Sequence, residues 1–143
     1  MTEYILYLPF FVYGTLLPGE RYFRLWREAI DDMRPAMLDG ACLYDLGYFP
    51  MALDATQGEV RGMVVWVRPS SYAAALSLLD QLEGVTLPPR GNPGYRRTRR
   101  IVRLTGGSSL VAWVYLGHEA VVANLKPIAM DWKRYKRRVV NAL

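Results

Sequence analysis

The longest apolar stretch of the chain, Tyr4 to Leu17, is interrupted by Pro9 and Gly14, and that interruption limits what it can become. A helix that crosses a bilayer needs about 20 consecutive apolar residues, so this stretch is too short. The aromatic and aliphatic run from Tyr4 to Tyr13 instead predicts a buried strand that enters a turn at Gly14, continued by Pro18 and Gly19. Such a strand needs a sheet and a core around it. With 143 residues, 52% hydrophobic and 22% charged, the chain has material for one soluble globular domain over 1–143 and little more.

Residue patterning extends the outline. A helix is expected over about Glu20 to Met33, because Phe23, Trp26, Ile30 and Met33 fall on one stripe. Met37–Leu46 and Phe49–Leu53 read as short strands punctuated by Gly47 and Pro50. Arg61–Val67 is a strand with little polar surface. Ser70 is a good N-cap for a helix from Ser71 to about Glu83, which Gly84 would end. Pro88, Pro89, Gly91, Pro93 and Gly94 make a loop. Tyr95–Leu104 and Leu110–Gly117 then pair across a hairpin at Thr105–Ser109. Ile128, Trp132, Tyr135 and Val139 predict a final helix, with Asp131 near its start and cations near its end. The order implies an α+β fold whose sheet is mixed or antiparallel, curled into a small barrel with flanking helices.

Composition narrows the chemistry. The chain has one cysteine, Cys42, and one histidine, His118, so no internal disulfide can form and a zinc site is disfavoured. The N-terminus offers Glu3 in place of the positive region of a signal peptide, and the expected compartment is cytoplasmic, with no membrane partner. No metal and no cofactor are expected, and a carboxylate is the natural proton carrier. The net charge of +5 comes from basic runs at 96–103 and 133–138. A nucleic-acid or anion-binding module is the rival reading of those runs. Strand alternation scatters the first run over two faces and the helix dipole accommodates the second, which argues against nucleic acid.

Two local features bear on function. Tyr72, Leu76 and Leu79 form the apolar stripe of the predicted helix, and Glu83 continues it seven residues after Leu76. An acid on such a stripe is desolvated, which raises its pKa toward the range useful for proton transfer. A solvated helix end, or an arginine partner, is what such a pattern more often means, and Asp80 on the shoulder of the stripe raises the same question. The second feature is Tyr13-Gly14-Thr15-Leu16-Leu17-Pro18, where glycine at a strand exit lets main-chain amides turn toward a small anion. An ordinary strand-to-helix turn fits that spacing too.

Taken in order, the segments resemble the γ-glutamylcyclotransferase-like superfamily, which includes γ-glutamylamine cyclotransferases and avirulence-induced-gene proteins. Phe11-Val12-Tyr13-Gly14-Thr15-Leu16 is very similar to the family's N-terminal signature. Gly47-Tyr48-Phe49-Pro50-Met51-Ala52 and Val60-Arg61-Gly62-Met63-Val64 resemble its next two strands. Leu79-Asp80-Gln81-Leu82-Glu83-Gly84 resembles the element that carries the family's catalytic glutamate. Tyr95-Arg96-Arg97-Thr98, Trp113-Val114-Tyr115 and Ile128-Ala129-Met130-Asp131-Trp132 resemble its later segments. Departures are Met63 and the Arg99-Arg100 pair, which stand where many members carry Glu and aliphatic residues, and a long proline-rich loop from Val85 to Gly94.

The resemblance implies the family's fold and an enzyme of acyltransferase or lyase type. It would release 5-oxoproline and a free amine from a small γ-glutamyl amide, by attack of the substrate's own α-amine. Glu83 would be the acid/base, Tyr13, Gly14, Thr15 and Leu16 would hold the substrate, and Tyr115 and Tyr95 would donate hydrogen bonds to it. A catalytically inactive binding protein of the same fold is the alternative. Monomer and homodimer are both open, as is the amine part of the substrate.

Overall fold

The computed structural model describes residues 7–47, 49–85 and 94–142. The predicted start of the opening strand before Tyr7, Tyr48 of the second motif, and Pro88, Pro89, Gly91 and Pro93 of the loop lie outside them.

Five strands close into a barrel in the order β1–β3–β2–β4–β5. They are β1 (Phe10–Val12), β2 (Ile30–Asp45), β3 (Pro50–Val67), β4 (Arg96–Leu104) and β5 (Ser109–Leu116). All neighbours are antiparallel except β1 and β5, whose parallel pairing of Phe10 with Trp113 and Phe11 with Val114 closes the barrel. The sheet is therefore mixed, and the helices flank it.

Alternation of side chains makes two cores from one sheet. Inside the barrel lie Phe11, Leu38, Leu43, Val64, Val102, Val114 and Leu116, with Trp132 of the last helix plugging one end. Outside it, Phe10, Val12, Val65 and Tyr115 meet Trp26 and the stripe of helix α2 (Tyr72–Leu82), namely Tyr72, Ala75 and Leu79. Each large apolar side chain fully buried in this way contributes about 1.5–3 kcal/mol. Helix α1 (Phe23–Trp26), the short α3 (Glu119–Val122) and α4 (Trp132–Ala142) complete the set. Among the described residues, no helix is long and apolar enough to cross a membrane.

The expected helix from Glu20 to Met33 is a correction. Helix ends after Trp26 with a 3₁₀ turn to Ala29, and Ile30 begins β2. Ile30 and Met33 pair with Val67 and Val65, so an apolar ladder outcompetes the helical stripe. Pro35 adds to this, because the residue before a proline is disfavoured in helix. The three short strands expected between Met37 and Val67 are likewise two long ones. β3 continues through the polar segment Asp54–Glu59, which bulges between the pairs Ala41–Asp54 and Asp39–Glu59 of β2. Helix α2 starts one residue late: Ser71, not Ser70, occupies its N-cap, without a side-chain bond.

The β4–β5 hairpin follows the pattern, whereas the expectation of cations near the end of the last helix is corrected: α4 runs on to Ala142, so the basic run 133–138 occupies its first half and its last turn holds none. The turn at Thr105–Ser108 joins β4 to β5, with the Leu104 amide donating to the Ser108 carbonyl at 2.8 Å. Asp131 accepts from the Arg134 amide at 2.8 Å and so caps α4.

Candidate active site

Helix α2 delivers the acid. Gly84 adopts φ of +71°, a left-handed conformation that stops the helix cheaply, and leaves Glu83 at its C-cap. The Glu83 amide donates to the Leu79 carbonyl at 3.0 Å, and its carbonyl accepts from the Tyr95 amide at 2.9 Å. Both main-chain groups are thus tied down, which fixes the side chain's origin. Its carboxyl has no hydrogen-bond or ion-pair partner among the described residues. Burial alone pushes it up from 4.5 to about 8.

The turn after β1 delivers the opposite wall. Gly14 is required by close approach: a Cβ there would collide with the Pro50 ring, at the start of β3. Three carbonyls of the turn are occupied. Gly14 accepts from the Leu17 amide, Thr15 from the Tyr22 amide, and Leu16 from the Trp26 indole. The amides of Gly14, Thr15 and Leu16 donate to no described residue, so this wall presents donors.

These walls line a small, partly open cavity, which Glu83, Tyr13, Gly14, Thr15, Leu16, Tyr95 and Tyr115 all border. Every residue singled out in the sequence for a site therefore meets at one place. Phe11, Val12 and Pro50 also line it. A second hollow, of about 100 Å³, shares Thr15, Glu83 and Tyr95 with the first and adds Arg21, Tyr22, Phe49 and Leu82. Glu83 stands between the two.

The tyrosines differ from expectation in one respect. The Tyr13 hydroxyl donates to the Tyr115 carbonyl at 2.6 Å and accepts from the Ala52 amide at 3.1 Å. That of Tyr95 donates to the Pro50 carbonyl at 2.6 Å, and that of Tyr115 to Asp80 at 2.7 Å. Each phenolic proton is committed inside the protein, so Tyr95 and Tyr115 cannot donate to a ligand as expected without breaking a bond. All three phenols are pushed well above their ordinary range, first by burial. The Glu83 charge raises each of them further, as its nearness requires.

Asp80 is 5% exposed. Sequence reasoning marked it only as doubtful and missed its partner, Arg97, because the pairing joins a helix to a strand across the masking effect of an arginine-rich run. In that run Arg97, Arg100 and Arg103 are paired with Asp80, Asp54 and Asp39 respectively. Lys136 pairs with Glu20 in the second basic run. Among the described residues, no three of His, Cys, Asp and Glu stand close enough to hold a metal ion.

No curated protein matches the sequence. Among solved structures, YkqA from Bacillus subtilis superposes with a TM-score of 0.68 at 22% identity, over 94% of this chain and 43% of that one. The chain thus spans under half the length of YkqA. At3g28950.1 from Arabidopsis thaliana gives 0.62 at 26% identity, over 94% and 74% of the two chains. An aig2-like protein from Mus musculus gives 0.66 at 20% identity, over 87% and 88%. Residues 10–134, from β1 into α4, match the family described as "Gamma-glutamyl cyclotransferase, AIG2-like", and the chain belongs to that family.

Proposed function

We propose that this chain is a γ-glutamyl cyclotransferase that cleaves a small γ-glutamyl amide into 5-oxoproline and a free amine. The observation that carries the reading is the opposition of one bare carboxyl, Glu83, to unoccupied main-chain amides at Gly14–Leu16 within a small cavity.

The chemistry follows from that opposition. The substrate's α-amine attacks its own γ-carbonyl, an N–C bond closes the five-membered lactam, and the amide C–N bond breaks. Holding the chain in the cyclising conformer supplies most of the acceleration, since effective molarities of well-oriented cases reach about 10⁵ M or more. The Gly14–Leu16 amides receive the α-carboxylate or the developing oxyanion. Glu83 takes a proton from the α-ammonium and returns it to the leaving amine. A carboxyl titrating at about 8 exchanges protons with amines readily. The nucleophile belongs to the substrate, so the chain needs neither its cysteine nor its histidine for attack.

The test is incubation with a panel of γ-glutamyl amides, with mass-spectrometric detection of 5-oxoproline. Release from at least one amide is expected, with none from Glu83→Gln. Full turnover by that variant would remove Glu83 from the mechanism.

A further inference from the structure

Asp80 lies three residues before Glu83, inside the same helical turn, and its side chain reaches a cross-strand pair beneath the helix. That pair is Arg97 of β4 and Tyr115 of β5, directly opposite each other in the sheet. One oxygen of Asp80, Oδ1, accepts both from Arg97 Nε at 2.9 Å and from the Tyr115 hydroxyl at 2.7 Å. The arginine is itself held in place. Its guanidinium lies 4.3 Å from the centre of the Trp113 ring, and the Trp113 indole donates to Tyr72 at 3.0 Å.

An ionised carboxylate paired with arginine can only accept, so the proton between Asp80 and Tyr115 belongs to the phenol. Burial and the Asp80 bond both push the Tyr115 phenol upward, which keeps the proton there. The phenol oxygen receives no hydrogen bond from any described residue, while Tyr115 lines the cavity. Its lone pairs are therefore what it can offer a ligand.

We propose that Asp80 is a positioning residue, which draws the Tyr115 proton away from the cavity and turns that phenol oxygen into an acceptor for the substrate's α-ammonium. The inference rests on the cyclotransferase reading above. It assigns the two ends of the α-carbon to two walls: the main-chain donors of Gly14–Leu16 face the carboxylate, and the acceptor of Tyr115 faces the amine. It also separates the two acids of the turn, one moving protons and one orienting a neighbour.

The experiment compares binding of two ligands to the Glu83→Gln protein, which does not turn them over. They are γ-glutamyl anilide and glutaric acid monoanilide, identical except for the α-amine. The aminated ligand should bind at least about tenfold tighter, as a hydrogen bond to a charged group allows. Tyr115→Phe should collapse that ratio toward one and leave the monoanilide unchanged. Asp80→Ala alone orphans Arg97 and risks the fold, so the informative variant is Asp80→Leu with Arg97→Met, which leaves no buried charge unpaired. It should collapse the ratio as Tyr115→Phe does, and adding Tyr115→Phe to it should produce no further change.

A purely structural role would lower the melting temperature and leave the ratio intact, which would overturn the assignment. So would a further tenfold loss when Tyr115→Phe is added to the double variant. Failure of wild-type protein to release 5-oxoproline from any amide would instead overturn the reaction itself. Turnover with an unmoved ratio sinks only the role of Asp80.

Discussion

Asp80 and Glu83 are the same kind of group on the same turn of one helix, yet their surroundings are opposites. Asp80 faces from the helix onto the barrel wall at β4 and β5, where a guanidinium and a phenol both donate to it. Glu83 reaches the cavity at the helix end, where no described residue donates to it and burial raises it to about 8. A difference of three residues rotates the side chain by roughly 60° about the helix axis, enough to exchange a lined socket for an empty one. Chemistry in this fold is thus assigned by neighbours, and the residue type alone is silent about which acid is structural.

The contrast can be broken from either side. The largest effect should come from Glu83→Gln, which keeps the shape and removes the exchangeable proton. We expect 5-oxoproline release to fall below detection, a loss of at least about 10²-fold, measured by mass spectrometry with enzyme and substrate fixed. Next, Asp80→Ala should cost about 2 kcal/mol of stability by leaving the half-buried Arg97 and the Tyr115 hydroxyl without their partner, read from urea unfolding. Equal unfolding midpoints for Asp80→Ala and wild type would erase the distinction.

The third prediction concerns pH. The Glu83 carboxyl is raised from 4.5 to about 8 on folding, so the folded chain keeps a proton that the unfolded chain sheds between those values. Stability on this account is fully present below about 4.5 and declines as pH rises to about 8. Glu83→Gln mimics the protonated form and should be more stable than wild type at pH 9, with parity near pH 4. Thermal melts of both proteins across that range provide the check. In the free enzyme the acid limb of kcat/KM should centre near 8 for the same reason.

The smallest expected effect is at the facing wall. Gly14→Ala forces a methyl group against Pro50 and should cost roughly 1–2 kcal/mol of stability. Because the free amides shift with it, activity should fall more than stability suggests. Retention of full kcat/KM would mean that the turn need not hold its present position.

Much of this was legible in the residues, for identifiable reasons. Strands rich in branched and aromatic residues, such as Arg61–Val67 and Leu110–Leu116, declare themselves through composition. The cavity could be anticipated because its parts sit at element ends, where glycine marks the exits: Gly14 after β1 and Gly84 after α2. What misled was local ambiguity. Phe23, Trp26, Ile30 and Met33 satisfy a helical stripe, yet Ile30 and Met33 meet β3 across a ladder that no local window contains. The Asp80–Arg97 pair was hidden likewise, since its partner lies in another element amid similar arginines. The polarity of Tyr95 and Tyr115 depends on which acceptor each hydroxyl reaches, a question settled only by packing.

The parallel seam between β1 and β5 has a further consequence for how the protein comes into being. The cavity's floor is tied by the Tyr13 hydroxyl to a carbonyl 102 positions later. Contacts of that separation bear the full entropy of closing a long loop, and they form late. A nascent chain halted before Ser109 would possess its acid and its amide-bearing bend but no chamber to hold them in opposition. The chamber of such a molecule arrives in one step, at the moment when the earliest strand meets the last.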